Sequence, residues 1–267
     1  MIKAIVSGAA GRMGGRIIHM LEGAEGIILA GALERYDHPA VGKDVGEVVG
    51  LPPKGITVSG LVEEVLPKGD VLIEFTHPEV SFSHFMQAAA AGKAVVIGTT
   101  GFTPAHLTEI RENAPRTRVV LAPNMSVGVN LMFKVVADVA RVLGEGYDVE
   151  IVEAHHRMKK DAPSGTAIKL AQVMAEALGR DLDKVGVYAR KGIIGERTQD
   201  EIGIQTVRAG DIVGEHTVIF CGIGERIEVI HRAHSRDNFA RGAVRAAKWI
   251  VDQPHGLYDM QDVLGLK

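Results

Sequence analysis

Short apolar runs and helical patterns alternate through the first half of the chain, and strands follow one another in the second half. Residues 3–7, 27–33, 70–76, 94–97 and 118–121 are near-continuous apolar runs of strand length, the pattern of strands buried on both faces. Residues 56–59 alternate as a further strand. Helical patterns lie between them at 16–21, 61–66 and 80–91, and Thr103 caps a helix that opens at Pro104. Residues 36–55 are rich in Gly and Pro and predict a long loop. This order predicts an α/β domain on a parallel sheet.

An amphipathic helix over 127–143 leaves that domain, which puts a boundary near Ser126. A strand over 148–154 and a helix over 167–178 stopped by Gly179 come next. Alternating stretches at 186–192, 202–210 and 215–229, with glycine-containing breaks, predict an open antiparallel or mixed sheet of α+β type. Its uncovered face is a natural subunit contact. A helix over 235–249, capped by Ser235, returns to the first domain. The expected division is 1–126 with 236–267, and 127–235.

Glycines give the first domain its chemistry. The first strand runs into Gly8-Ala9-Ala10-Gly11-Arg12-Met13-Gly14 and then a helix. This is the strand–turn–helix of a Rossmann-type dinucleotide site, in a GxxGxxG variant. Small residues there let backbone amides approach a pyrophosphate at a helix N-terminus. Glu34 ends the second strand, where an acid holds the adenosine ribose hydroxyls. Arg35 beside it can instead receive a 2′-phosphate, so the pair is compatible with NADH and with NADPH. Gly98-Thr99-Thr100-Gly101 leaves the carboxyl end of another parallel strand, the side on which such sheets bind ligands.

The second domain carries the densest chemistry, in Glu153 to Ala167 (EAHHRMKKDAPSGTA). This strand-to-helix loop crowds two imidazoles and three cations, a costly cluster unless an anion or a reaction needs it. At a strand end His155 and His156 would face opposite ways, which predicts one acid/base and one ligand or structural contact. Lys159 can donate a proton or hold a carboxylate. Pro163 stiffens the loop and Ser164 suits an N-cap, leaving Gly165 and Thr166 to offer free amides to an anion. His231 and His234 flank Arg232 and either line the anion site or are structural.

Composition narrows the class. The chain has 267 residues, a net charge of -3, 46% hydrophobic and 24% charged residues. These are ordinary for a globular protein and give no basic face for nucleic acid. Cys221, alone and inside an apolar strand, excludes an intrachain disulfide and reads as packing. No run is long enough to span a membrane, and no signal-peptide layout opens the chain, so a cytoplasmic protein is expected. No metal site is expected.

Taken together, GAAGRMG, Glu34-Arg35, Gly98 to Gly101, Ala122-Pro123-Asn124-Met125-Ser126 and EAHHRMKKDAPSGTA resemble, in order and over essentially the whole chain, the dihydrodipicolinate reductase family. The resemblance implies a homotetramer joined through the second domain's sheets. It implies NADH- or NADPH-dependent reduction of a cyclic dicarboxylate, 4-hydroxy-tetrahydrodipicolinate, in lysine and diaminopimelate biosynthesis. By the same resemblance His155 and Lys159 carry proton transfer, and His156, Gly165 and Thr166 bind substrate. Cofactor contacts carry over to Gly8, Ala9, Ala10, Gly11, Arg12 and Met13, to Glu34 and Arg35, to Gly98, Thr99 and Thr100, and to Ala122, Pro123, Asn124 and Met125. At Pro123 and Met125 the chain departs from the family's commonest form. Three rivals remain at this level: another dehydrogenase with a Rossmann domain followed by an α+β domain, such as a semialdehyde or sugar dehydrogenase, a regulatory NAD-binding protein, and a desulfurase-like or otherwise divergent relative on the same scaffold. A phosphorylating semialdehyde dehydrogenase would need Cys221 as nucleophile, and a regulatory NAD-binding protein would need no acid/base cluster.

Overall fold

The computed structural model describes residues 1–267. The chain divides into two compact units, Met1–Val127 with Arg236–Lys267, and Gly128–Ser235.

In the first unit the elements run β1 (Ile2–Ser7), α1 (Arg12–Glu22), β2 (Ile27–Leu33), α2 (Val45–Val49), β3 (Val58–Ser59), α3 (Val62–Val65), β4 (Val71–Glu74), α4 (Pro78–Ala90), β5 (Ala94–Ile97), α5 (Pro104–Asn113) and β6 (Arg118–Leu121). The second unit holds α6 (Val127–Leu143), β7 (Asp148–His155), α7 (Gly165–Ala177), α8 (Leu182–Val185), β8 (Gly186–Val187), β9 (Ile202–Arg208), β10 (Gly214–Gly222) and β11 (Glu225–Ala233). The chain then re-enters the first unit as α9 (Asp237–Ile250), β12 (Gly256–Tyr258) and α10 (Met260–Leu264).

The first unit's seven strands lie in the order β12-β6-β5-β4-β1-β2-β3, and every pairing is parallel. Sheet residues alternate between two cores. Ala4, Val6, Val71, Ile73, Val96 and Val120 pack with α1, α9 and α10. Ile5, Leu72, Val95, Ile97 and Val119 pack with α3, α4 and the end of α5. Burial on both faces is why these strands read as unbroken apolar runs.

The second unit's sheet has the order β11-β10-β7-β9-β8, with β7 and β9 parallel and β10 antiparallel to both neighbours. It has one core, where Val149, Ile151, Ile204, Val218 and Phe220 meet α6 and α7. The opposite face leaves Ile230 and Val207 exposed.

The expected architecture holds, with local corrections. The stretch 36–55 contains the short helix α2, started by the Asp44 side chain, which accepts from Gly46 N. The strand expected over 186–192 shrinks to β8, because Arg190 turns to bond both carboxylate oxygens of Glu150 at 2.8 and 2.9 Å. The stretch 215–229 is a hairpin, broken at Ile223 and Gly224 between β10 and β11. Helix α9 starts at Asp237 with Arg236 at the N-cap position, so Ser235 is not its cap. Strand β12, short and only partly buried, carried no sequence signal. No helix is long and apolar enough to cross a membrane.

Candidate active site

In the first unit β1 ends at Ser7 and the chain reverses at Gly8, whose φ of +66° suits glycine. A Cβ on Gly14 would stand 2.0 Å from the Gly8 carbonyl oxygen. Only glycine lets α1 begin so close to the strand end. No side chain caps α1 and its first turn contains no acid, so its N-terminus is left to an anion.

Glu34 follows β2, anchored by its N–H to the Ser59 carbonyl at 3.0 Å. Its carboxylate accepts from Ala10 N at 3.1 Å and Arg35 N at 2.9 Å. Arg35 is exposed, and its Nε bonds the Asp37 carboxylate. That hydrogen bond holds the Asp37 carboxyl below the usual carboxylate range. A cavity of about 550 Å³ brings together Gly8, Gly11, Arg12, Met13, Glu34 and Arg35 with Ser7, Tyr36, Gly60, Phe75, Thr76, His77 and His84. The second set was missed by sequence reasoning, apart from Ser7, which ends the first strand.

The remaining expected cofactor residues lie outside this cavity. Gly98 and Thr99 follow β5; a Cβ on Gly98 would strike the Phe75 ring at 2.3 Å. Thr99 is 5% exposed and its hydroxyl has no partner. Thr100 is exposed. After β6, Ala122 and Met125 are buried against the α9 side of the sheet, so they present backbone, not side chains. Pro123 is exposed, and Asn124 Oδ1 accepts from Ser126 N at 2.8 Å. Ala9 is fully buried beneath the turn. A free helix N-terminus, a carboxylate at the end of β2 and an orphaned buried hydroxyl at the end of β5 together fit a nicotinamide dinucleotide.

In the second unit the organising group is Glu153, which carried no role in the sequence reading. It lies on the same face of β7 as Val149 and Ile151, and it is completely buried. A buried carboxylate must be paired. Glu153 Oε2 lies 2.6 Å from His155 Nδ1. Arg208 donates to both oxygens at 2.8 and 2.9 Å, and Ser164 N and Thr206 Oγ1 donate at 3.0 and 3.2 Å. Burial pushes the Glu153 carboxyl up, but the bonds from His155, Arg208 and Ser164 outweigh it and bring it to about 2. Glu153 is therefore ionised. The alternation that buries Val149 and Ile151 was the signal that could have found it.

The other members assemble around this carboxylate. Ser164 caps α7, its hydroxyl accepting from Ala167 N at 3.2 Å, so Gly165 and Thr166 open the helix as expected. The same hydroxyl is 3.1 Å from His216 Nε2. His216 is 3% exposed and meets the His155 ring edge-on at 5.3 Å. Burial, then the neighbouring His155, push His216 down to about 3, so it is neutral. His155 Nε2 faces Gly214, where a Cβ would lie 3.1 Å away. Lys159 Nζ lies 2.8 Å from the Asp161 carboxylate; burial raises that acid, but the Lys159 bond prevails and lowers it. His156 follows the strand, its Nδ1 buried without a partner. Arg232 is paired with Glu215 at 3.2 Å. His231 lies opposite His216 in the β10–β11 ladder.

A doubly wound parallel sheet with a glycine turn after β1 and an acid after β2 defines a Rossmann-type dinucleotide-binding protein, here with an α+β unit inserted. The family models described as dihydrodipicolinate reductase, N-terminus and C-terminus, match residues 2–125 and 128–264. The chain belongs to the dihydrodipicolinate reductase family. It is 60% identical over 267 residues, all of both chains, to proteins named 4-hydroxy-tetrahydrodipicolinate reductase from Syntrophus aciditrophicus and Geotalea uraniireducens. The dipicolinate-bound dihydrodipicolinate reductase from Paenisporosarcina sp. TG-14 superposes with a TM-score of 0.76 at 28% identity, covering 98% of each chain.

Proposed function

We propose that the protein reduces 4-hydroxy-tetrahydrodipicolinate to tetrahydrodipicolinate with a nicotinamide cofactor, in lysine and diaminopimelate biosynthesis, and that Glu153 holds the proton-transfer group. The supporting observation is the 2.6 Å bond from a fully buried carboxylate to His155 Nδ1, at the head of the basic loop. Balance between substrate and product requires that the 4-hydroxyl leave as water together with a hydrogen from the adjacent ring carbon, and that the resulting conjugated ring take up one hydride and one proton. The nicotinamide, when bound, supplies the hydride. The ring carbon beside the hydride acceptor then needs a proton.

With Nδ1 committed to Glu153, Nε2 is the His155 atom left to hold that proton. Arg208 balances the Glu153 charge, so His155 can gain or lose a proton without stranding a buried carboxylate. Lys159, kept near Asp161, is the second proton-transfer residue. His156 and the opening amides of α7 at Gly165 and Thr166 hold the substrate carboxylates.

Both cofactors are accepted in this reading: Glu34 takes the ribose hydroxyls of NADH, and Arg35 exchanges Asp37 for the 2′-phosphate of NADPH. The open sheet face with Ile230 and Val207 joins four copies. Light scattering that gives a monomer would remove this assembly.

The direct test follows nicotinamide absorbance with freshly made substrate and each cofactor. The expected result is oxidation of both. Lys159→Ala should lower kcat about 10²-fold or more, as loss of a general acid does, while cofactor affinity stays within about twofold. Binding of cofactor without oxidation would leave the fold reading standing and sink the substrate.

A further inference from the structure

A second buried carboxylate lies outside the proton-transfer machinery. Glu74, the last residue of β4, is completely buried in the first unit. Its Oε2 accepts from Thr76 Oγ1 at 2.8 Å, and its Oε1 lies 2.6 Å from His84 Nδ1 on α4. Ser7 Oγ approaches the same nitrogen at 3.3 Å. Both bonds fall on Nδ1, so these residues do not form a Ser-His-acid triad, which uses the two ring nitrogens in series.

Glu74 has no arginine, lysine or backbone amide beside it; His84 is its one ionic partner. A buried carboxyl needs hydrogen-bond partners, and here they are the imidazole and the Thr76 hydroxyl. His84 lines the 550 Å³ cavity together with Ser7 and Thr76. Its Nε2 makes no hydrogen bond within the protein. The ring therefore offers its Nε2 to whatever occupies the cavity.

Its position selects the occupant. Ser7 is the residue immediately before the glycine turn, and Thr76 Cγ2 stands 3.1 Å from where a Gly8 Cβ would be. The imidazole thus sits beside the turn rather than at Glu34 and Arg35. The part of a dinucleotide that meets such a turn is its pyrophosphate. We propose that His84, anchored through Nδ1 to buried Glu74, is a phosphate-binding residue of the cavity, its Nε2–H donating to the cofactor's pyrophosphate. This rests on reading the cavity as the dinucleotide site.

The test is a set of titrations on the full chain. NADH is followed by its fluorescence, and ADP-ribose and adenosine by competition. A charge-assisted hydrogen bond of this kind predicts about tenfold weaker binding of NADH and ADP-ribose by His84→Gln, with adenosine within about twofold. The double variant Glu74→Gln/His84→Gln replaces the carboxyl–imidazole pair by an amide pair. It should show the same phosphate-selective loss, so a fold defect from a stranded Glu74 cannot imitate the result. Unchanged NADH and ADP-ribose affinity in both variants overturns the proposal. An equal loss for adenosine also overturns it, by assigning His84 to packing. Failure of the wild type to bind NADH overturns the cavity reading first, a result distinct from normal binding with a silent substitution.

Discussion

Glu74 and Glu153 share part of their surroundings, and what Glu153 has in addition separates two kinds of histidine. Each is a fully buried carboxylate near the carboxyl end of a strand. Each holds an imidazole Nδ1 at 2.6 Å and accepts from a threonine hydroxyl. Glu153 also has the Ser164 amide and Arg208, the latter bound through two nitrogens. With the arginine present, Glu153 does not depend on His155 for its counter-charge, which suits a proton-transfer group. Glu74 has no arginine or lysine, and His84 is its one ionic partner. The arginine is what separates a carboxylate site built around proton transfer from one built to anchor a binding imidazole.

The sharpest way to break this contrast is Arg208→Met, which leaves His155 as the one ionic partner of Glu153. Stranding one partner of a buried ion pair costs ~3–5 kcal/mol, so a large drop in the urea or thermal midpoint is expected, together with loss of kcat. Normal stability would mean that the arginine is not what neutralises Glu153.

Acid titration separates the groups around Glu153 with a smaller effect. His216 is held down to about 3 from an ordinary 6.5. The unfolded chain therefore binds its proton first, and stability falls as pH drops from 6.5 toward 3. Glu153 is lowered to about 2 from 4.5, so its share is present above 4.5 and is lost only as pH falls from there toward 2. Burial lowers His231 as well, and it adds to the first window. Melting curves between pH 7 and 5 should show a falling midpoint that His216→Asn flattens. A wild type with no slope there would remove His216 as a buried neutral imidazole.

The smallest effect is expected at the rim of the first unit, where Arg35 and Asp37 are paired in water. An exposed pair is easily exchanged. Asp37→Asn should therefore favour NADPH over NADH by only about two- to fivefold in Kd. A shift toward NADH would show that Arg35 does not receive the 2′-phosphate.

Much of this protein was legible in local pattern because local physics decides it. Unbroken apolar runs marked strands buried on both faces, and β1 with the glycine turn and α1 needed only neighbouring residues to be recognised. Ser164 was legible as the cap of α7 for the same reason, since its hydroxyl bonds an amide three positions on. Patterning failed where polar side chains override it: Arg190 pulls its segment out of the sheet to reach Glu150, and a two-residue turn splits β10 from β11.

By itself, then, the sequence determined the parallel sheet, the site of the glycine turn, the start of α7 and the basic loop, each set by residues close along the chain. Tertiary structure alone brought Arg208 to Glu153 across 55 positions and His216 to Ser164 across 52. It also decided that His84 faces a cavity and that Glu74 has no arginine or lysine partner. The physical reason is burial. A carboxylate's partners matter only once folding has removed water from it, and the strand register then determines which distant side chains are within reach.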